Sequence, residues 1–128
     1  MERLLASIKG AVGLVDVDLS HNPLTESEVE HLLGALKDCK ALRHLDLSGL
    51  TLTDQSMLVI KSIMEADDCR LHALILQACN ISTHGLQYLH EALSVNKSLV
   101  KLDVSYNKEL SSNMDVMVGA LVKNKTLI

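Results

Sequence analysis

Apolar residues recur along this 128-residue chain in two alternating patterns. Short segments with an apolar residue at every second position predict β-strands near residues 15–18, 43–46, 72–75 and 100–103, because strand side chains alternate between two faces. Between them, apolar residues lie three and four positions apart, which is the spacing of an amphipathic helix. In the first such segment they are Val29, Leu32, Leu33 and Leu36. Strands and helices that alternate through short connections predict an α/β fold with one parallel sheet.

The combined pattern repeats with a nearly constant period. The strand segments begin at Leu14, Leu42, Leu71 and Leu99, so the intervals are 28, 29 and 28 residues. They read LVDVDLSHN, LRHLDLSGL, LHALILQAC and LVKLDVSYN. We therefore predict a single domain over residues 1–128, with repeats at 14–41, 42–70, 71–98 and 99–126. Residues 1–13 are interpreted as the helix of a preceding partial repeat, and residues 127–128 as the start of a fifth.

This pattern resembles the leucine-rich repeat, L-x-x-L-x-L-x-x-N/C-x-L, and its long period is typical of the ribonuclease-inhibitor-like class. The resemblance implies a right-handed solenoid, a curved horseshoe segment with parallel strands on the concave face and helices on the convex face. Asn22, Cys79 and Asn107 match the N/C position, where the family uses a side chain to satisfy backbone groups of the turn. Leu50 occupies that position in the second repeat and cannot make such hydrogen bonds. We therefore expect its turn to be differently folded or hydrated.

Hydroxyl residues mark the expected helix starts, because their oxygens accept hydrogen bonds from first-turn amides. The candidates are Thr25, Thr53, Ser82, and Ser111 or Ser112. Thr25 and Glu28 also have the spacing of a capping box. One extra residue between Tyr106 and Leu110 predicts a bulged or longer loop in the fourth repeat.

The residues that alternate with the strand leucines are expected on the concave face, where they form the candidate binding site. Its predicted members are Asp16, Asp18, His44, Asp46, Ile75, Gln77, Lys101, Asp103 and Tyr106. One row across the sheet contains Asp18, Asp46, Ile75 and Asp103. Carboxylates on neighbouring strands repel one another, so a basic partner would stabilise this row. Lys101 and His44 can offset part of this repulsion internally, which would leave less acidity for a partner. A purely structural interpretation of these aspartates also stands, because the sequence Leu-Asp-Leu-Ser is common in the strands of leucine-rich repeats in general.

Composition excludes several other kinds of partner and location. A net charge of −4 and the lack of a basic run argue against nucleic acid, and two tyrosines offer no platform for stacking bases. No apolar stretch is long enough to span a bilayer, and charged residues near Met1 do not fit a signal peptide. We expect a cytoplasmic chain whose three cysteines, Cys39, Cys69 and Cys79, are reduced.

Sequence motifs for catalysis, cofactor binding and metal binding are missing. The chain has no glycine-rich phosphate loop, nucleophile elbow or paired acid-base motif, so we predict that it is not an enzyme and takes no cofactor. His44 and His72 can approach each other on adjacent strands, but no third ligand lies at zinc spacing. We therefore predict no metal site.

The family resemblance implies a protein-protein interaction module with a protein partner. A regulator of actin assembly is one alternative, because the loop after Asn107 and the segment that follows resemble the last repeats of tropomodulin and leiomodin. A GTPase regulator is another, since GTPase-activating proteins for Ran share this repeat type. A structural spacer in a larger assembly is the third. Neither end shows a polar cap, which predicts either a segment of a longer array or self-association through the open ends.

Overall fold

The computed structural model describes residues 15–109, and seven elements alternate along that part of the chain. They are β1 (Asp16–Asp18), α1 (Glu26–Leu36), β2 (His44–Asp46), α2 (Asp54–Glu65), β3 (Ala73–Ile75), α3 (Thr83–Val95) and β4 (Lys101–Asp103). Each strand begins one residue later than predicted and ends at the predicted residue. The predictions for residues 1–14 and 110–128, including the helix start at Ser111 or Ser112, lie outside the described residues.

The four strands form one parallel sheet in the order β1-β2-β3-β4. Their registers align Val17 with Leu45, Leu45 with Leu74 and Leu74 with Leu102. Helix α2 packs against both α1 and α3. Because each strand pairs with the next one along the chain, each repeat stacks on its sequence neighbour, as in a solenoid.

The core lies between the sheet and the helices, and it contains the apolar positions that the pattern predicted. Leu45, Leu74, Leu33 and Leu89 are each at most 1% exposed, and Met57 from α2 joins the same cluster. Removing a side chain of this size from water stabilises a fold by about 1.5 to 3 kcal/mol. The leucine pattern therefore supplies most of the driving force for stacking.

Each described helix begins at a predicted hydroxyl residue. Thr25 Oγ1 accepts from the amide of Glu28 at 3.1 Å, and the Glu28 carboxylate accepts from the Thr25 amide at 3.0 Å. The predicted capping box is therefore confirmed. Thr53 and Ser82 accept from the third helical amides of α2 and α3 at 3.1 and 3.0 Å.

The turns that follow the strands share one backbone shape. The residue before the N/C position is left-handed in all four repeats, with φ of 57° at His21, 81° at Gly49, 52° at Ala78 and 62° at Tyr106. The expectation of a differently folded turn at Leu50 is wrong. Glycine adopts this conformation without steric cost, and the Leu50 amide donates to the Leu47 carbonyl inside the turn at 3.2 Å.

Two of the side chains at the N/C position connect neighbouring repeats. Asn107 Nδ2 donates to the carbonyl of Leu76 at 2.8 Å, and its Oδ1 accepts from the amide of Cys79 at 3.1 Å. Cys79 Sγ in turn donates to the carbonyl of Leu47 at 3.1 Å. Of the predicted longer loop in the fourth repeat, only the part up to residue 109 is described, where residues 108–109 form a 3₁₀ turn.

Candidate protein-binding face

The sheet register brings the predicted site residues together in rows across the strands. The first row contains Asp16, His44, Ala73 and Lys101, and the second, which we call the aspartate row, contains Asp18, Asp46, Ile75 and Asp103. Gln77 lies just beyond β3, and Tyr106 lies in the turn after β4. The leucines between these positions point into the core, so the rows lie on the opposite, concave face of the sheet.

Each aspartate of the aspartate row uses one oxygen to fix its own turn. Asp18 Oδ1 accepts from the amide of Ser20 at 2.9 Å, and Asp46 Oδ1 accepts from the amide of Ser48 at 3.0 Å. Asp103 Oδ1 accepts from the amide of the corresponding serine at 3.0 Å. These carboxylates therefore have a structural role as well as a charge.

Hydrogen bonds from serine lower the pKa of two of these carboxyl groups. The hydroxyl and amide of Ser20 lower the pKa of Asp18. For Asp103 the largest cause is the Ser105 hydroxyl, followed by the Ser105 amide and the Gln77 side chain, and all three lower its pKa. Both carboxylates are thus held in the charged form.

The second carboxylate oxygens differ between the two sides of the sheet. Gln77 Nε2 donates to Asp103 Oδ2 at 2.5 Å, and the charge of Lys101 acts on the same carboxylate. Within residues 15–109, Oδ2 of Asp18 and Oδ2 of Asp46 accept no hydrogen bond. The charge of His21 also acts on Asp18, and the acidity that no hydrogen bond offsets at the second oxygen is on β1 and β2.

The first row is partly neutralised by an internal contact. His44 Nδ1 lies 2.6 Å from Asp16 Oδ1, and both side chains are more than half exposed. The other histidine of the face, His72, has its Nδ1 2.8 Å from the Arg70 carbonyl. Each ring has its own partner, and within residues 15–109 no group of three or more His, Cys, Asp or Glu side chains is placed to hold a metal ion.

A shallow groove of about 430 Å³ crosses this face. Asp16, Asp18 and Asp46 line one end, Lys101 lines the other, and Ala73 and Ile75 lie between them. His72 and Val100 also line the groove, although the sequence analysis did not place them in the binding site. The sequence analysis placed both residues at the first position of a predicted strand and His72 near His44, but strand alternation assigns that position to the face opposite the candidate site.

Tyr106 and Gln77 lie beside the groove and do not line it. Tyr106 is 84% exposed, and its left-handed backbone places it in the turn at the edge of the face. Gln77 is held by its bond to Asp103. The structure therefore separates the predicted residues into a groove set and an edge set.

The cysteines belong to the interior and to the connections between helices and strands. All three lie within the described residues, and none forms a disulfide. Burial raises the pKa of Cys79 to about 11, and burial also raises the pKa of Cys39.

Within residues 15–109, no helix is both long and apolar enough to cross a membrane.

Comparison with known proteins agrees with the repeat architecture. No protein-family model matches the sequence. The chain is 32% identical over 98 residues to the NACHT, LRR and PYD domains-containing protein 14 of Mus musculus, which covers 77% of this chain and 10% of that protein. It is 35% identical over 92 residues to the NACHT, LRR and PYD domains-containing protein 7 of Homo sapiens, covering 72% and 9%. This chain is a leucine-rich-repeat protein.

A solved structure supports the same fold for this leucine-rich-repeat protein. The tropomodulin C-terminal domain of Caenorhabditis elegans superposes with a TM-score of 0.79 and covers 96% of this chain and 78% of that chain. At 16% identity, this likeness shows the fold alone. The leucine-rich-repeat chain spans about a tenth of the length of the curated relatives named above.

Proposed function

We propose that this leucine-rich-repeat protein is a protein-binding module whose concave sheet face contacts a basic segment of its partner. One observation carries the proposal. Asp18 and Asp46 are cross-strand neighbours in the sheet register, and the second oxygen of each accepts no hydrogen bond within residues 15–109. The leucine-rich-repeat relatives support protein binding as the general role.

The electrostatics of the pair favour a cation. Neighbouring parallel strands lie about 4.8 Å apart, and like charges at that separation repel even at a solvated surface. The turn hydrogen bonds fix Oδ1 of Asp18 and of Asp46, so neither side chain can rotate away without losing a bond. A lysine or arginine placed between the two free oxygens would relieve this repulsion and make charge-assisted hydrogen bonds.

The other predicted residues have secondary roles in this proposal. Asp16 and His44 form a paired end to the groove, while Ile75 and Lys101 form its floor and opposite end. Asp103, Gln77 and Tyr106 form the edge. A non-enzymatic role and a cytoplasmic location remain predictions from the sequence, as does self-association through the ends.

A charge-neutralising double variant tests the proposal. Asp18→Asn with Asp46→Asn keeps an oxygen for each turn amide and removes only the charge. Asp38→Asn with Asp67→Asn is the matched control, because it removes the same charge from exposed positions outside the sheet. The probe is a fluorescent lysine-rich peptide, and its glutamate counterpart is the negative control.

We expect the first double variant to weaken peptide binding severalfold in fluorescence anisotropy, while the control variant binds like the unchanged protein. Amide signals of β1 and β2 should shift in ¹⁵N NMR titrations with the lysine peptide. Equal weakening by both double variants would mean that binding follows net charge rather than this face, and the proposal would then be wrong.

Regulation of actin assembly is the second candidate function, and it is favoured by the sequence resemblance of the loop after Asn107 and the segment that follows to the last repeats of tropomodulin and leiomodin. A pyrene-actin polymerisation assay at increasing concentrations of the chain tests it directly. An unchanged rate and extent of assembly would remove this candidate. The GTPase regulator and the structural spacer remain predictions from the sequence alone.

A further inference from the structure

The groove on the concave face has opposite charges at its two ends. Three carboxylates, from Asp16, Asp18 and Asp46, line the end formed by β1 and β2, while Lys101 lines the end formed by β4. Asp103, the neighbour of Lys101 on the same face, does not line the groove, and Gln77 donates to it at 2.5 Å. The charge of the groove therefore changes sign across the sheet, from negative at β1 to positive at β4.

The middle of the groove is apolar. Ile75 takes the place of an aspartate in the aspartate row, and Ala73, its neighbour on the same face, is only 7% exposed. Ile75 is partly buried, so it presents an apolar contact surface between two charged ends. A partner that carried only charge would leave this surface exposed to water.

From these features we infer that the partner binds through an extended segment with a basic, an aliphatic and an acidic residue at positions i, i+2 and i+4, which crosses the strands from β1 to β4. This inference rests on the proposed function, because it describes the segment that the concave face would bind. The basic residue contacts Asp18 and Asp46, the aliphatic residue covers Ile75, and the acidic residue pairs with Lys101.

Strand spacing supports this pattern. The midpoint between β1 and β2 lies about one and a half strand spacings from β3 and about two and a half from β4, which is roughly 7 and 12 Å at 4.8 Å per strand. In an extended chain, residues i and i+2 lie about 7 Å apart and residues i and i+4 about 13 Å apart, with their side chains on one face. The groove and an extended segment therefore match in both charge order and distance.

Three short peptides test the inference, each acetylated and amidated so that its ends carry no charge. The bipolar peptide contains Lys-Ser-Leu-Ser-Glu, the basic peptide contains Lys-Ser-Leu-Ser-Gln, and the third replaces leucine by serine in the bipolar sequence. Affinities come from ¹⁵N NMR titrations of the unchanged protein, of Lys101→Met, and of the Asp18→Asn, Asp46→Asn double variant. Lys101→Met keeps the aliphatic length of the side chain and removes its charge.

We expect the unchanged protein to bind the bipolar peptide about two to five times more tightly than the basic peptide, which is the range of a solvent-exposed ion pair. Lys101→Met should bind those two peptides equally. The serine peptide should bind the unchanged protein more weakly than the bipolar peptide, since it leaves Ile75 uncovered.

The outcomes separate the two proposals. Suppose that the double variant binds the bipolar and basic peptides more weakly than the unchanged protein does. If the unchanged protein then shows no preference for the bipolar peptide, or if that preference persists in Lys101→Met, the proposed function stands and the bipolar segment is wrong. If the double variant leaves the affinity of both peptides unchanged, then the proposed function fails, and the inference fails with it.

Discussion

Asn107 spans the junction between the third and fourth repeats, and its replacement by alanine should destabilise that junction strongly. Its Nδ2 donates to the carbonyls of Leu76 and Val104, both at 2.8 Å. Its Oδ1 accepts from the amides of Cys79 at 3.1 Å and Ile81 at 3.2 Å. The side chain is 5% exposed, so water cannot readily take its place.

The magnitude follows from the groups that Asn107→Ala leaves without a partner. Two amides and the Leu76 carbonyl are the buried groups that lose their hydrogen bonds, and the part-buried Val104 carbonyl loses one as well. Each such loss at a buried group costs about 1 to 3 kcal/mol. We expect a loss of roughly 3 to 9 kcal/mol in the free energy of unfolding on that basis. This is large beside the 5 to 15 kcal/mol that is usual for whole domains.

Asn22 is the matched control within the same chain. It occupies the same repeat position but is exposed, and within residues 15–109 its Nδ2 donates only within its own turn, to Leu19 at 2.9 Å and Ser20 at 3.3 Å. Asn22→Ala should therefore cost less than about 1 kcal/mol. Asn107→Cys should fall between the two, because a thiol can still donate, as Cys79 does at the same position.

Urea unfolding followed by circular dichroism at 222 nm measures the global effect. Repeat arrays can unfold in parts, so hydrogen exchange of the Cys79 and Ile81 amides should be measured alongside it. Both amides should exchange faster in Asn107→Ala than in Asn22→Ala. If the two alanine variants lose the same stability and these amides keep their protection, the bridging role assigned to Asn107 is refuted.

Three further predictions concern the backbone, acid stability and thiol chemistry. Gly49→Ala should lower the free energy of unfolding in urea by about 1 to 2 kcal/mol because of the left-handed φ at this position. It should cost a further amount because the added Cβ would lie 2.4 Å from His21 Nδ1. A His21→Ala background should recover only the cost of this contact, and full recovery would contradict the prediction. Hydrogen bonds from the Thr25 amide and hydroxyl lower the pKa of Glu28. The ionised Glu28 should therefore stabilise the fold at pH values above the ordinary pKa of 4.5, and this stabilisation should be lost as pH falls through the lower pKa of the folded state. A stability difference between the unchanged protein and Glu28→Gln that grows on acidification would contradict this sign. Burial of Cys79 raises its pKa to about 11, and the thiolate is the form that reacts with a maleimide. The partly exposed Cys69 should therefore be labelled first, which mass spectrometry of the labelled peptides measures. Faster labelling of Cys79 would show that the interior opens.

The repeat period, the strand ends and the helix caps could be predicted because they depend on local residue types. Thr25, Thr53 and Ser82 cap the described helices, and strand alternation correctly placed Asp18 and Asp46 side by side. Of the two alternatives for Leu50, the differently folded turn is wrong because the neighbouring Gly49 sets the shape of that turn, and the hydrated turn stays a prediction. An interpretation based on position 50 alone did not include the effect of Gly49 on the backbone of the turn.

The division of the binding face could not be predicted, because it depends on side-chain orientations. Whether Gln77 reaches Asp103 and whether His44 reaches Asp16 are decided by rotamers across neighbouring strands. The sequence indicated that Lys101 and His44 could offset part of the acidity, but it did not indicate which carboxylates would be compensated. The structure shows compensation at β4 and at Asp16, whereas the second oxygens of Asp18 and Asp46 accept no hydrogen bond within the described part of the chain.

The bridges made by Asn107 and Cys79 strengthen two junctions between repeats, so the junction between the first and second repeats is mechanically weaker. Within residues 15–109, the junctions between repeats two and three and between repeats three and four each contain a buried side-chain bond of this kind. The side-chain bonds across the first junction, from Thr53 to Glu30 and from His44 to Asp16, are part-buried and exposed. Apolar contacts yield gradually under load, while a buried hydrogen bond resists until it breaks. A force applied along the solenoid axis should therefore peel the first repeat from the second before the other two junctions open.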